Sequence, residues 1–213
     1  MRSETQTVDQ PKPASFIEQA RRAQIIDCAI ETIAELGFAQ ASLAQIARRA
    51  GVSTGVTLYY FGGKDDLIRA VAAQIFEAGA AFMTGPVNAA ETPAAAIEAF
   101  IRLSVRFIAD KPALPRAMMN IIRAGVDQGG GPRFDPGVTR ARREGFESIL
   151  TWGQAVGAFR RFDVSVMAAT IIESLDFIPS RLASEPDLDL VAYADELVEL
   201  FHRAIRADDP AKE

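Results

Sequence analysis

Residues 42–64 read SLAQIARRAGVSTGVTLYYFGGK, and they contain no aspartate or glutamate in a chain whose formal net charge is −5. Ser42 with Gln45 three residues later is typical of a capping box, which predicts that a helix begins here. Gly51 is expected to end that helix, because glycine readily adopts the backbone of a sharp turn. Ser53 is then placed to cap the next helix. Two short helices joined so closely indicate a helix-turn-helix, the unit that places a helix in the DNA major groove.

The charge of the chain is unevenly distributed. Residues 1–65 hold seven Lys/Arg and seven Asp/Glu, whereas residues 66–213 hold sixteen against twenty-one. A neutral head with one acid-free segment on an acidic body fits a protein that touches a polyanion with one small face. An acid-free stretch of this length also occurs by chance in alanine-rich helices, so charge alone leaves both interpretations open.

Over about residues 20–70 the chain resembles the TetR family of bacterial transcriptional regulators. The residues that carry the likeness are Leu43, Ile46, Ala47, the run from Ala50 to Gly55, the run from Tyr59 to Gly62, Lys64 and Leu67. The chain departs from the family pattern at Thr57 and Leu58, where an apolar residue followed by tyrosine is usual. Either Leu58 takes over the buried position through a small rotation of the helix, or a phosphate-binding tyrosine is lost.

Helical periodicity without strand-like alternation predicts an all-α fold of about nine helices. We expect an N-terminal three-helix helix-turn-helix domain, followed by a C-terminal helical domain for ligand binding and dimerisation. The predicted divisions are a disordered lead-in at 1–15, the helix-turn-helix domain at 16–64, the ligand-binding and dimerisation domain at 65–206, and a flexible tail at 207–213. A helix that begins at Lys64 is expected to stop near Met83, before Gly85 and Pro86. The glycine-rich stretch 127–137 is expected to be a mobile linker or lid.

Hydroxyl groups, a lysine and helix starts in the segment suit phosphate oxygens, and threonine and valine suit the thymine methyl group. The expected DNA-binding residues are Ser42, Ser53, Thr54, Val56, Thr57, Tyr59, Tyr60 and Lys64. No Arg, Asn or Gln lies on the expected outer face of the third helix, so we expect reliance on methyl groups and DNA shape. The two tyrosines are alternatively core aromatics, as Phe61 is expected to be.

One recognition helix covers only a few base pairs, and a C2 dimer places two of them about 34 Å apart on a palindrome. The resemblance places the dimer contact on the last two helices, as a four-helix bundle. The expected interface residues are Ile171, Leu175, Ile178, Tyr193, Leu197, Leu200 and Phe201. The same side chains can instead close the core of one protomer.

The resemblance further implies that a small molecule binds in the body and releases DNA, with the helix from Lys64 as the coupling element. Methionine and aromatic side chains suit a pliable, largely apolar cavity. The expected pocket residues are Phe82, Phe100, Phe107, Met118, Met119, Ile122, Trp152 and Phe177. Ordinary core packing is the competing interpretation of each.

The sequence argues against an enzyme and against a metal or cofactor site. One cysteine, Cys28, and one histidine, His202, provide no ligand cluster, and no catalytic motif is present. No apolar run reaches the roughly 20 residues that cross a bilayer, and the N-terminus has no apolar signal region, so we expect a cytoplasmic protein without a membrane partner. The prediction is therefore a homodimeric, ligand-responsive DNA-binding repressor. The alternative is a helical ligand-binding or interaction protein whose helix-turn-helix no longer binds DNA.

Overall fold

The computed structural model describes residues 16–125, 130–131 and 136–207. The expected lead-in at 1–15, most of the 127–137 stretch and all but the first residue of the expected tail lie outside the described residues. Over the described ranges the protein is all-α, as predicted. Its helices are α1 (Phe16–Leu36), α2 (Leu43–Arg49), α3 (Thr54–Phe61), α4 (Lys64–Asn88), α5 (Pro93–Asp110), α6 (Ala113–Arg123), α7 (Pro136–Ala155), α8 (Val164–Asp176), α9 (Ile178–Ser184) and α10 (Leu190–Ile205). Only Phe177 separates α8 from α9, and the two correspond to one predicted helix.

Side-chain caps fix the starts of several helices. In each, an oxygen of the residue before the helix accepts a hydrogen bond from a backbone N–H of the first turn, which has no partner inside the helix. The capping residues are Ser42, Ser53, Thr92, Asp163 and Asp189. Each cap contributes about 1 kcal/mol, and together they explain why the helix starts could be located from the sequence.

Helix α4 continues through the predicted stop and ends at Asn88. Pro86 has no backbone N–H, so it cannot donate the helical hydrogen bond to the carbonyl of Phe82. This loss falls in the final turn, where little helix remains to be disrupted. The expected end near Met83 is therefore wrong, and α4 is the longest helix among the described residues.

By length and composition alone, α4 is also apolar enough to cross a membrane. Core helices of folded domains satisfy the same two criteria. Here α4 packs against α1, α3, α5, α6 and α7, and its first turn carries Lys64, Asp65 and Asp66. We therefore describe α4 as the helix that connects the two parts of the protein.

Two clusters of buried side chains form the interior. The head core joins α1, α2 and α3 to the first half of α4, and it also includes Ala117, Met118 and Ile121 of α6. The body core is built mainly from α5, α7, α8, α9 and α10. The head core thus extends beyond residue 64, because α4 and α6 cover the apolar face of α1.

Helix α6 is also attached to the head by polar contacts. Asn120 Nδ2 donates a hydrogen bond to the carbonyl of Ile33 at 2.9 Å, and Arg116 Nη2 donates to the carbonyl of Ala34 at 3.2 Å. Both carbonyls lie in the last turn of α1, where helix carbonyls lack intrahelical donors or share them. At its other end, α6 contacts α9 through a hydrogen bond from Arg123 to Ser180. Helix α6 therefore links the head to the body as directly as α4 does.

Candidate nucleic-acid interface

The start of α2 has the geometry that its sequence predicts. The backbone N–H of Gln45 donates to Ser42 Oγ at 3.2 Å, and the Gln45 side-chain oxygen accepts from the backbone N–H of Ser42 at 3.1 Å. This reciprocal pair is a complete capping box. The first helix of the helix-turn-helix is therefore fixed in its starting position by local hydrogen bonds.

The turn between α2 and α3 is closed by two backbone hydrogen bonds. Gly51 has a φ of 66° and donates to the carbonyl of Arg48 at 3.2 Å, while Val52 donates to the carbonyl of Ala47 at 3.0 Å. This pair of bonds is the Schellman motif, which requires the left-handed conformation that glycine tolerates. The turn between α2 and α3 is therefore short and fixed by backbone hydrogen bonds.

Helix α1 supports this unit from behind. Gln24 Nε2 donates to the carbonyl of Ala50 at 3.0 Å, which fixes the end of α2 against α1. The guanidinium of Arg22 lies 5.0 Å from the ring centroid of Phe61, the last residue of α3. Phe61 itself is buried in the head core, as predicted.

Lys64 lies at the start of α4, and its ammonium group faces the α1–α2 connection. Nζ donates to the carbonyl of Phe38 at 3.0 Å and lies 4.3 Å from the centroid of the Phe38 ring. Its side chain is half-buried. Lys64 therefore stabilises the loop between α1 and α2. Its expected phosphate contact remains a prediction, and it would require the ammonium group to bind the Phe38 carbonyl and a phosphate together.

The outward face of α3 differs from the prediction at one residue. Thr57 is 0% exposed, and its Oγ1 is buried without a hydrogen-bond partner. Thr57 and Phe61 are four residues apart, so they share the buried face of the helix. The expected base contact by Thr57 is therefore wrong. Leu58 is exposed and does not take over the buried position.

The remaining predicted DNA-binding residues lie on the accessible side. Ser42, Ser53, Thr54 and Val56 are exposed, and Tyr59 is the most exposed aromatic residue of α3, at 78%. Tyr60 is half-buried and packs edge-on against Tyr59, with ring centroids 5.3 Å apart. We call these exposed or half-buried side chains together the reading face.

Two adjacent arginines at the end of α2 differ in their ion pairs, and the sequence did not predict this difference. Arg49 is bound by Glu31 at 3.2 Å and by Glu35 at 2.6 Å, so its charge is largely neutralised. Its guanidinium, as hydrogen-bond donor, holds the pKa of the Glu35 carboxyl below its usual range. Arg48 is exposed, and no ion pair or hydrogen bond of its side chain occurs within the described ranges. Helical spacing alone indicates that adjacent residues diverge by about 100°, but not which one meets the acids of α1.

The predicted pocket residues are not gathered around one cavity. Met118 belongs to the head core, while Ile122 is 53% exposed and Phe177 is 59% exposed. These three assignments are therefore wrong for the structure described. Phe100 and Phe107 are buried, Phe82 packs beside Phe107 with ring centroids 5.6 Å apart, and Met119 is half-buried. Trp152 lines an open cleft, described below.

Most of the predicted dimer residues are buried within the protomer. The body core contains Ile171, Leu175, Ile178, Leu197 and Phe201, so these five cannot offer a surface to a second chain in this conformation. Leu200 is exposed, and Tyr193 is half-buried beneath the guanidinium of Arg181. The exposed apolar residues that the prediction missed on and beside these helices are Val166, Phe177 and Val191. Apolar periodicity therefore identified the face of these helices that lies toward the body core.

Reactive side chains are sparse in the part of the chain that the structure describes. No group of three or more His, Cys, Asp or Glu residues in those ranges is placed to hold a metal ion. Burial, and secondarily the nearby Glu31 carboxylate, raises the pKa of the Cys28 thiol. This thiol is therefore a weaker nucleophile than a free cysteine at the same pH.

Comparison with known proteins connects this geometry to a family. The family model described as "Bacterial regulatory proteins, tetR family" matches residues 25–71. The HTH-type transcriptional regulator BetI 1 of Chromohalobacter salexigens is 40% identical over 90 residues, which cover 42% of this chain and 45% of that protein. BetI of Escherichia coli is 48% identical over 58 residues, 27% of this chain and 30% of the relative. The matched segment thus spans less than half the length of these curated relatives.

The fold likeness extends over most of the chain. The fatty acid degradation regulator FadR from Bacillus halodurans superposes with a TM-score of 0.75 at 21% identity, over 84% of this chain and 97% of that one. A putative TetR-family transcriptional regulator from Rhodococcus sp. gives 0.75 at 18% identity, over 86% and 99%. At these identities the likeness establishes the shared fold of head and body.

Proposed function

We propose that this chain, which belongs to the TetR family of bacterial regulatory proteins, is a cytoplasmic repressor that binds a palindromic operator as a homodimer. In this proposal a small molecule bound in the C-terminal domain releases the operator. No enzymatic activity is part of it. The observation that carries the proposal is the reading face: an acid-free, exposed surface on two capped helices that are supported from behind by α1.

The reading face supports DNA binding because its side chains are held before any ligand arrives. The caps at Ser42 and Ser53 and the turn at Gly51 fix the backbone, so little ordering of the protein opposes binding. Thr54 and Val56 offer methyl groups and a hydroxyl to base edges, and the Tyr59 side chain is largely exposed. We assign base contacts to these three residues.

Within residues 42–64, few positive charges are available to pair with phosphates. Arg49 is occupied by two glutamates and Lys64 is shared with the Phe38 carbonyl, which leaves Arg48 as the accessible cation of α2. Counterion release scales with the number of phosphates neutralised, so we expect a shallow salt dependence for each protomer. Hydroxyl groups and helix starts then supply a larger share of the phosphate contacts.

Dimerisation supplies the second half of the operator contact. We assign the dimer surface to the exposed apolar residues of the last helices, Val166, Phe177 and Leu200, in place of the core residues beneath them. Contiguous exposed apolar patches, unlike single exposed apolar residues, mark interfaces, and a dimer would join these side chains of the last helices into one. A two-fold axis through this surface would present two reading faces to one side of the DNA.

Release of the operator requires that the ligand distinguish two arrangements of the heads. Moving the protein from nearly all DNA-competent to nearly all incompetent takes about 5.5 kcal/mol of differential ligand affinity. We assign the coupling to both α4 and α6, since Asn120 and Arg116 of α6 hold the end of α1. A shift of α6 would therefore move α1 and the reading face with it.

A gel-shift titration on the DNA upstream of the protein's own gene tests the proposal. We expect one discrete complex on a palindrome, with two protomers per site and a shallow salt dependence, that survives a large excess of unrelated DNA. Scrambling one half-site should weaken the complex at least about 100-fold, since each mismatched base pair costs roughly 1–3 kcal/mol. Equal, weak binding to palindromic and scrambled DNA would favour a helical ligand-binding protein without operator recognition.

A further inference from the structure

An open cleft of about 280 Å³ lies where the end of α4, the start of α5 and the second half of α7 meet. It is separate from the reading face and from the exposed residues assigned to the dimer. The lining residues are Val87, Asn88, Ala90, Ala96, Ser148, Ile149 and Trp152. Of these, Val87 and Ala96 are buried, whereas Trp152 is 38% exposed.

The lining contains no ionisable side chain, and this property extends well beyond the cleft. The chain has no charged residue between Glu77 and Glu91, or between Glu147 and Arg160. Charged residues make up 24% of the chain, yet these two uncharged stretches from distant parts of it meet at this one place. A charged molecule here would lose hydration without gaining a partner of opposite charge, so the cleft favours a neutral ligand.

The polar groups of the cleft are few and differ in their availability. The Asn88 side chain is exposed and, within the described ranges, makes no hydrogen bond, so its amide offers both donors and an acceptor. Ser148 Oγ donates to the carbonyl of Gly145 at 2.7 Å, which leaves the oxygen as an acceptor. Beside these groups, the flat indole of Trp152 suits a planar molecule that stacks on it.

We propose that this cleft binds an uncharged, planar small molecule that stacks on Trp152 and exchanges hydrogen bonds with Asn88. This molecule would be the effector of the regulator proposed above. Its binding in the cleft does not require that function, but its effect on operator binding rests on it. The consequence follows from position, because Val87 and Asn88 end α4 and Lys64 at its other end contacts the head. A ligand in the cleft thus touches the far end of a coupling helix.

Trp152 is the single tryptophan of the chain, so its fluorescence reports the cleft directly. We would titrate the full protein with benzamide, benzoate and benzamidinium, three planar probes of similar size that differ in charge. Benzamide is expected to change the fluorescence saturably, with a Kd at least about 10-fold lower than those of the two ions. Asn88→Ala is expected to weaken benzamide about 5- to 10-fold, the effect of one lost hydrogen bond.

Thr84→Ala is the matched control, since Thr84 is exposed one turn earlier on α4 and does not line the cleft; it should leave benzamide binding unchanged. Three outcomes would overturn the proposal: a linear, unsaturable change, equal effects of all three probes, or equal effects of the two substitutions. None of these readouts involves DNA. A protein that fails the gel-shift titration but binds benzamide as expected would therefore refute the repressor and leave the cleft assignment intact.

Discussion

The sequence predicts the structure of the head of this protein more completely than that of the body. In the head, capping residues and a turn glycine lie at fixed offsets, and each adopts the predicted geometry: Ser42, Gly51 and Ser53. In the body, apolar periodicity locates the helices but not the purpose of each apolar side chain. Five of the predicted dimer residues are buried in the body core instead.

The difference arises because helix caps and glycine turns depend on nearby residues, whereas the burial of an apolar face depends on helices that are distant in sequence. A cap or a Schellman turn is completed by atoms within about five residues, so the sequence contains all its parts. A buried leucine in α10 owes its environment to helices far away in the chain. The following predictions test which properties of the protein depend on neighbouring residues and which depend on tertiary packing.

The largest expected effect separates two adjacent isoleucines of α6. Ile121 is buried in the head core, so Ile121→Ala should lower the free energy of unfolding by about 3 kcal/mol, through lost burial and a residual cavity. Ile122 is exposed, and Ile122→Ala should change it by less than about 0.5 kcal/mol. Urea denaturation measures both. Similar losses in the two variants would contradict the assignment of α6 to the head core.

The next effect tests the packing of the body at Gly153. A Cβ atom there would overlap the ring of Phe159, whose backbone N–H donates to the Gly153 carbonyl at 3.0 Å. Gly153→Ala should therefore destabilise the protein by about 2 kcal/mol. Gly145 lies in the same helix with open space around it, and Gly145→Ala should be neutral or stabilising. Thermal unfolding of the two variants distinguishes crowding at Phe159 from a general intolerance of α7.

A third prediction concerns the hydroxyl buried in α3. Thr57→Val replaces a buried oxygen that has no partner with a methyl group of similar size, and it should stabilise the protein by about 1 kcal/mol. The preferred operator sequence should not change, since the side chain does not reach the DNA. Thr54→Val, at an exposed position, should instead alter base preference. Selection from random DNA checks both; a new preference in the Thr57 variant would return that residue to the reading face.

A smaller effect distinguishes the two arginines of α2. Arg48→Ala should weaken operator binding on all sequences alike and reduce the slope of log K against log salt by about one unit per protomer. Arg49→Ala should leave that slope unchanged, because its charge is engaged with Glu31 and Glu35. Filter binding at several salt concentrations provides the measurement. Equal reductions would indicate that DNA draws Arg49 away from the glutamates.

The smallest expected effect is a pH dependence at the same ion pair. The folded protein holds the pKa of Glu35 below its ordinary value, chiefly through the hydrogen bond from Arg49. This contribution to stability is present above the pKa of the unfolded chain and is lost as the pH falls through the lower, folded pKa. Glu35→Gln should therefore flatten the decline of the urea midpoint below pH 5 slightly, because the pair is exposed. Glu91→Gln, at another exposed glutamate, serves as the control.

The candidate site was predictable to the extent that it depends on the backbone. The exposure of Ser53, Thr54 and Tyr59 follows from where α3 begins. The burial of Thr57 and the exposure of Leu58 did not follow from the sequence. The sequence pattern allowed two rotations of α3, which differ in which of these side chains is buried. The packing of α3 against α2 and α4 decides which of the two side chains is buried.

The charges show the same limit. The acid-free sequence from Ser42 to Lys64 indicated a small face that contacts a polyanion, but the folded head brings Glu31 and Glu35 of α1 against Arg49. The carbonyl of Phe38 likewise engages Lys64. The positive charge counted in residues 42–64 therefore overestimates the charge that is available to DNA, since acidic and carbonyl groups from outside this segment engage Arg49 and Lys64.

By itself, the sequence determined the all-α class, the helix starts and the turn that defines the helix-turn-helix, because these depend on hydrogen bonds between neighbours in the chain. Tertiary structure decided which apolar residues are core and which are surface, how far the head core reaches into α6, and which arginine remains available. It also brought together the two uncharged stretches that form the cleft beside Trp152. Each of these depends on helices that are distant in sequence and meet only when the chain is packed.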